Sequence, residues 1–265
     1  MARWEEVSNH FIELQYDESG SIYLMLHSGS RNVGKKVCDY FDEVAMRLNK
    51  KWYSSNSSIP FLPIDSKEGQ DYLKWMNLCV GFSFLNREIM IWDMVKNLKH
   101  YFPDLEIITK SIEGVDSDII SISHNYAAQE NHMGKNYWVH RKGAVLARKG
   151  TIGIIPGSQS TNSFITIGLG EEKSFTSCSH GSGRKMGRKE FNVQNQSRVA
   201  EIEDDMKKKG IVYSKFSKSE RGRDKGLYDL SEAGDAYKDV LSVMEHQKDL
   251  VAPLVRLSPL ISWKG

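Results

Sequence analysis

The sequence predicts a globular α+β protein of one domain, and each part of this prediction rests on one feature of the chain. Short β-type runs and helical runs both occur, but they do not alternate regularly as a doubly wound sheet requires. Hydrophobic residues make up 40% of the 265 residues and charged residues 26%, which are ordinary values for a globular protein. We find no internal repeat and no convincing linker, so we predict one domain over residues 1–265.

The N-terminal part combines a predicted hairpin with two helices. The β-type runs and then the helices cover residues 9–15, 21–27, 34–50 and 68–101. A polar link ending at Gly20 joins the two runs, which is typical of a hairpin. Ser66 is the expected N-cap of the second helix, and Pro103 is expected to stop it.

The C-terminal part is predicted to contain most of the strands. Expected strands cover 118–123, 137–147, 151–155, 164–170 and the tail 251–265. Charged helices are expected over 193–210 and 230–250.

The net charge does not identify a function, and the cysteine content indicates a compartment. The formal net charge of +2 neither requires nor excludes nucleic acid, so any phosphate site must be local. Cys38, Cys79 and Cys178 form no CxxC pair, which favours a reducing compartment. The chain has no apolar run of the roughly 20 residues that span a bilayer and no signal-peptide core. We therefore expect a soluble cytoplasmic protein with no membrane partner.

Four histidines stand at the ends of apolar runs, namely His10, His27, His124 and His180. If these run ends converge, neutral imidazoles could form a metal site. The alternative is that each is an ordinary half-buried histidine. The remaining four are expected at the surface: His100, His132, His140 and His246.

Glycine-rich and basic segments form a second set of candidates. HSGSRNVG, IPGSQSTNS and HGSGR pair small residues with hydroxyls, a composition that lets backbone N–H groups approach phosphate. The alternative is that these segments only form turns. None has Walker A spacing. Arg184, Lys185, Arg188 and Lys189 follow HGSGR and suit either phosphate binding or a solvated surface.

Eight motifs occur in order from Asn9 to Gly265: NHFIELQ, HSGSRNVG, SHNYAAQE, HRKGA, IPGS, SCSHGSGRKMGR, AYKDV and WKG. Together they resemble the RtcB-type RNA ligases. The resemblance implies an RtcB-like domain of mixed β-sheets with flanking helices. It also implies an enzyme that joins RNA 3′-phosphate or 2′,3′-cyclic phosphate ends to 5′-hydroxyl ends, in tRNA splicing or RNA repair.

The resemblance also assigns roles to residues. His180 would be the nucleophile that attacks GTP and carries GMP. The manganese ligands would be His10, His27 and His124. Arg31, Arg184 and Arg188 would suit phosphates. Contacts to the guanylate would come from Asn9, His10, Phe11, Ile12, Glu13, His124, Asn125, Pro156, Gly157, Ser158, Gln159, Ser163, His180, Gly181, Ser182, Gly183 and Lys264.

One departure from the family pattern concerns the metal site. Only eight residues precede Asn9, and the family's DxGCG-like motif, whose Cys bridges two metals, does not occur. We expect a C-terminal ligase portion that binds at most one Mn²⁺ tightly and needs a missing N-terminal fragment or an activator such as archease. A rebuilt metal site and a non-catalytic remnant that binds nucleotide or RNA remain open. Cys178 is expected to be a small buried residue rather than a substitute ligand.

Overall fold

The computed structural model describes residues 10–53, 60–108, 110–112, 115–117, 119–219 and 225–264. The helices in these ranges are α1 (Arg31–Tyr53), α2 (Lys67–Tyr101), α3 (Arg188–Asn195), α4 (Val199–Lys208) and α5 (Val240–Glu245). The strands are β1 (Phe11–Tyr16), β2 (Ile22–His27), β3 (Lys110–Ile112), β4 (Val115–Ser117), β5 (Asn125–His132), β6 (Lys135–Lys142), β7 (Ala144–Leu146), β8 (Ile152–Ile155), β9 (Ser163–Gly168), β10 (Ser177–Ser179), β11 (Val212–Tyr213) and β12 (Val251–Lys264). The mixture of helices and antiparallel strands confirms the α+β class.

The chain divides into two compact units. In their described parts, the first holds residues 27–107 and the second holds residues 10–26 and 108–264. The single domain over residues 1–265 stays a prediction.

The first unit contains α1 and α2. The Ser66 hydroxyl caps α2 by accepting from the backbone N–H of Gly69 at 3.0 Å, which confirms the expected N-cap. Phe41 and Tyr72 meet edge to face, with ring centroids 5.4 Å apart, where α1 packs on α2. No helix in the described residues is long and apolar enough to cross a membrane.

The second unit is built around β12. The strand order of its main sheet is β2-β1-β12-β9-β8, and β11 pairs with β12 in parallel. The N-terminal half of β12 pairs antiparallel with β9 and the C-terminal half with β1, so one strand joins two strands that are far apart in sequence. The expected hairpin of β1 and β2 and the expected terminal strand are confirmed.

β5 and β6 form an antiparallel hairpin. Its turn is Met133–Gly134, with φ of 51° and 75°. Positive φ at both central residues is the mark of the turn type that matches the twist of a two-residue hairpin. β7 follows β6 directly and pairs antiparallel with β10.

Three predicted elements are wrong. Residues 119–124 form no regular structure, and the strand begins at Asn125. The helix expected over 193–210 is broken into α3, a 3-10 turn and α4. The helix expected over 230–250 is reduced to α5, because the Asp239 carboxylate caps a new start by accepting from the N–H of Ser242 at 3.0 Å.

One apolar cluster of the second unit joins elements that are far apart in sequence. The cluster contains Ile155, Phe164, Cys178, Val240 and Val251, and therefore joins β8, β9, β10, α5 and β12. Cys178 is buried as expected, and burial raises the pKa of its thiol to about 11. Burial within this apolar cluster favours the structural interpretation of Cys178.

Candidate active site

His124 and His180 meet at the junction of two strand ends. His124 directly precedes β5 and His180 directly follows β10. Their ring centroids lie 4.7 Å apart and the ring planes are inclined by 38°. Two of the four histidines singled out in the sequence are thus neighbours, although 56 positions separate them along the chain.

Gly143 holds both histidines through its backbone. Its N–H donates to the carbonyl of His124 at 3.0 Å, and its carbonyl accepts from Nδ1 of His180 at 2.8 Å. Gly143 has a φ of 69°, and a Cβ at this position would lie 3.3 Å from Cε1 of His180. Both the backbone conformation and the close approach therefore favour glycine in the HRKGA motif.

The hydrogen bond to Gly143 fixes the tautomer of His180. A carbonyl oxygen can only accept, so Nδ1 of His180 carries the proton and the lone pair lies on Nε2. Burial lowers the pKa of His180, which keeps the ring neutral near pH 7. A neutral imidazole with a free Nε2 lone pair is a nucleophile or a metal ligand.

Burial also determines the charge state of His124. Burial, followed by the proximity of His180, lowers the pKa of His124 to about 4. Its ring is therefore neutral near pH 7, which is the form that binds metal ions.

The loop of the IPGS motif packs against the loop that carries His180. A Cβ on Gly181 would lie 3.2 Å from the carbonyl oxygen of Pro156, so the two glycine-rich loops are in contact. The N–H of Gly157 donates to Oγ of Ser163 at 3.1 Å, which ties the loop to the start of β9.

A buried polar network continues from this loop to β1 and β12. Nε2 of Gln15 donates to Oγ of Ser163 at 3.1 Å and to Oε2 of Glu13 at 2.5 Å. The Ser262 hydroxyl donates to Oε1 of Glu13 at 2.8 Å. Because Glu13 is buried, its pKa rises to about 7 even though both hydrogen bonds favour the ionised form. The network places the NHFIELQ motif, the IPGS loop and the terminal strand in one series of contacts.

Two buried polar atoms near these loops are candidates for a ligand contact. Oε1 of Gln159 and Oγ of Ser182 are buried and have no hydrogen-bond partner among the described residues. Such atoms are costly unless something pairs with them. Both belong to the predicted guanylate-binding set, so the chemistry of these loops fits a polar ligand such as a nucleotide.

Arg184 has a different environment from the one expected. Its guanidinium pairs with the Glu232 carboxylate and stacks over the Tyr237 ring at 4.7 Å. Arg188 lies 3.6 Å from the same carboxylate. Glu232 thus compensates part of the charge that the sequence suggested for phosphates.

Three further predicted site residues, His10, Phe11 and His27, lie at or next to the ends of strands. His10 precedes β1 and is partly buried, Phe11 faces Lys264 in the register of β1 with β12, and His27 ends β2 in the first unit. Asn9 and the side chain of Lys264 lie outside the described residues. No group of three His, Cys, Asp or Glu side chains that could hold a metal ion occurs in the part of the chain that is described.

The surface assignment of His132 is wrong. His132 is buried, with Nε2 lying 2.9 Å from the Glu130 carboxylate and the ring meeting Phe175 edge to face. Arg141 pairs with the same carboxylate at 2.5 Å. The hydrogen bond that Arg141 donates is the main reason why the pKa of Glu130 is lowered to about 2. The period-two spacing of Glu130 and His132 along β5 was the available signal that they share a face.

The comparisons with known proteins agree with this arrangement of motifs. The family described as "tRNA-splicing ligase RtcB" matches residues 7–265. The chain is 36% identical to "RNA-splicing ligase RtcB1" of Escherichia coli ATCC 25922 over 97% of this chain and 59% of that protein. It is 36% identical to "RNA-splicing ligase RtcB" of Escherichia coli K12 and 29% identical to "tRNA-splicing ligase RtcB" of Methanococcus maripaludis. In each case the match covers 97% of this chain and less than two thirds of the relative, 59% and 58% respectively. The match over almost the whole chain, with the motifs gathered as described, shows that this chain belongs to the RtcB family.

Proposed function

We propose that the chain is an RNA ligase that joins RNA 3′-phosphate or 2′,3′-cyclic phosphate ends to 5′-hydroxyl ends through a His180–GMP intermediate. The observation that carries this proposal is the hydrogen bond from Nδ1 of His180 to the Gly143 carbonyl at 2.8 Å. It leaves Nε2 unprotonated and directs the ring, which are the two requirements of an imidazole nucleophile.

The proposed steps follow from that tautomer. Nε2 attacks the α-phosphorus of GTP, an N–P bond forms, and the bond to the pyrophosphate oxygen breaks. The Nδ1 proton stays on the ring, where the Gly143 carbonyl stabilises the positive charge that develops. An RNA 3′-phosphate oxygen then displaces His180 from the α-phosphorus. The RNA 5′-hydroxyl finally attacks the activated 3′-phosphate: a P–O bond joins the two RNA ends, the P–O bond to GMP breaks, and the hydroxyl proton passes to solvent.

The guanine nucleotide is proposed to bind across the two glycine-rich loops. The Gln159 and Ser182 oxygens supply unpaired polar atoms there, and Glu13 adds an acceptor or donor according to its protonation. Because the pKa of Glu13 lies at about 7, either form is accessible near neutral pH.

We also propose that the site binds manganese. The family resemblance gives His10, His27 and His124 as ligands, and a bound Mn²⁺ would neutralise phosphate charge. Among the residues that the structure describes, no three His, Cys, Asp or Glu side chains form a group that could hold a metal ion. His124 is neutral near pH 7 and its ring lies beside that of His180, which suits ligation of an ion next to the nucleophile.

The test is covalent labelling of the intact chain. With GTP radiolabelled at the α-phosphorus, Mn²⁺ and an N-terminal fragment that carries the family's DxGCG-like motif, we expect label that resists denaturation, is acid-labile as a phosphoramidate, and disappears in His180→Ala. Without that fragment, we expect the chain to be labelled slowly or not at all. The matched control is His246→Ala, since His246 is exposed and its Nδ1 lies 2.6 Å from the carbonyl oxygen of Ser242 in α5.

Two results would count against the proposal. Label that persists in His180→Ala would assign the nucleophile to another residue. Nucleotide binding without any label even in the presence of the N-terminal fragment would favour the non-catalytic alternative, in which the chain only binds nucleotide or RNA.

A further inference from the structure

One face of α2 carries a stripe of large apolar side chains that the fold leaves exposed. Their exposed fractions lie between 41% and 61%. The stripe, called the α2 stripe below, consists of Trp75, Leu78, Phe82, Leu85, Ile89 and Trp92. The side chains of α2 that are buried in the fold, such as Met76, Cys79 and Ser83, occupy other heptad positions.

The spacing of the α2 stripe is that of a coiled-coil seam. Successive members are three, four, three, four and three residues apart, so they occupy alternate a and d positions of a heptad repeat. Two and a half heptads of apolar a and d residues on an exposed helix face are the pattern of a surface that pairs with another helix.

Charged residues continue the same heptad positions at both ends. Glu68 and Asp71 precede the stripe at a and d, and Lys96 and Lys99 follow it at a and d. The N-terminal end of the seam is thus acidic and the C-terminal end is basic.

In an antiparallel pair of α2 helices, each apolar position of the seam meets an apolar residue and each charged position meets the opposite charge. With the twofold axis between Ser83 and Phe84, Trp75 lies opposite Trp92, Leu78 opposite Ile89, and Phe82 opposite Leu85 of the second copy. The same register sets Glu68 opposite Lys99 and Asp71 opposite Lys96. A parallel pair in register would instead set like charges against each other at both ends.

The area is sufficient for a specific dimer. With roughly 100 Å² left exposed on each of the six side chains, the stripe offers about 600 Å² per chain, against ~800 Å² per partner in a standard interface. The four charged pairs at the two ends enlarge the covered surface. We propose that the chain forms an antiparallel homodimer through the α2 stripe.

The first test measures association of the full chain by sedimentation velocity over a range of concentrations. We expect a dimer of twice the 30.2 kDa chain mass. Phe82→Asp should weaken the dimer by at least ~100-fold, because two carboxylates would be buried at the centre of the seam. Phe84→Asp is the matched control, since Phe84 is 46% exposed against 43% for Phe82 but lies off the stripe.

A second test leaves the apolar residues untouched, in case Phe82→Asp fails to fold. The double variant Lys96→Glu, Lys99→Glu should weaken the dimer, and adding Glu68→Lys and Asp71→Lys should restore it. A chain that is monomeric at every concentration, or a dimer indifferent to both sets of variants, would overturn the proposal.

The orientation is tested by disulfide formation in a Cys38→Ser background, since Cys38 is exposed. Glu68→Cys combined with Lys99→Cys should link the two copies. Lys99→Cys alone should not, because the antiparallel register keeps the two copies of position 99 roughly 45 Å apart. Rapid linkage through Lys99→Cys alone would show a parallel pair and overturn the proposed register.

Discussion

Gly143 contributes only backbone atoms, yet it decides which nitrogen of His180 is free. Its N–H donates to the carbonyl of His124, and its carbonyl accepts from Nδ1 of His180. The two peptide groups that flank Gly143 therefore hold both histidines. No side chain could do this here, because a Cβ would meet the His180 ring and the φ of 69° is unfavourable for other residues. The glycine of HRKGA therefore has a chemical reason as well as a conformational one.

Glu13 makes folding stability depend on pH. Its pKa rises from 4.5 to about 7 on folding, because burial and the more distant Glu232 disfavour the charged form. The native state then binds the proton more tightly, so stability falls as pH rises from about 4.5 to about 7, by at most ~3 kcal/mol. We expect Glu13→Gln to remove this component in urea titrations at pH 5 and pH 8.

The control for this measurement is Glu172→Gln, at an exposed position of the second unit. It should leave the difference between pH 5 and pH 8 as in the unchanged chain. If Glu13→Gln also left it unchanged, Glu13 would not be the titrating group.

At the scale of elements, the β5–β6 hairpin is held to its neighbours by a buried ionic cluster. Arg141 pairs with Glu130 inside the hairpin and donates from Nε to Oγ of Ser177 at 3.0 Å, at the start of β10. It also donates to the carbonyl of Phe175 at 2.9 Å, where Phe175 and Thr176 have φ of 53° and 45°. Arg141 thus satisfies a backbone segment whose conformation is unfavourable by itself.

Removing Arg141 should be far more costly than removing a neighbouring arginine. Arg141→Met leaves the Glu130 carboxylate buried without its main partner, and we expect a loss of about 3–5 kcal/mol in the free energy of unfolding. Arg148→Met should cost less than ~1 kcal/mol, since its side chain is 55% exposed and lies 3.7 Å from Glu130. Chemical denaturation of the two variants compares them, and equal small losses would contradict the argument.

For the whole molecule, the last strand of the chain is the central one of its sheet. β12 pairs with β1 from Ser258 to Lys264 and with β9 from Val251 to Leu257. Ser262, in the first of these segments, also reaches Glu13 across 249 positions of sequence. The second unit is therefore closed by residues from opposite ends of the chain.

Two changes near the end of β12 should have different effects. Deleting residues 258–265 removes the partner of β1, and we expect loss of the cooperative thermal transition measured by circular dichroism. Lys264→Ala should leave that transition in place and weaken binding of a fluorescent GTP analogue about tenfold, the effect of one lost charged contact. Unchanged affinity in Lys264→Ala would count against a role for Lys264 at the nucleotide.

The sequence by itself determined the fold class, the long helix α2 with its Ser66 cap, the first hairpin, the terminal strand and the family. These rest on local periodicity, capping chemistry and ordered motifs, which short stretches of chain carry on their own. Only the tertiary structure decided that Gly143 sets the tautomer of His180, that Glu232 takes up Arg184, and that His132 is buried. It also broke the helices expected over 193–210 and 230–250, and in the second of these the Asp239 cap and the backbone bridge of Tyr237 with Arg184 outweigh helical periodicity. Each of these outcomes depends on residues tens of positions apart meeting in space, where burial and hydrogen-bond satisfaction outweigh the local pattern.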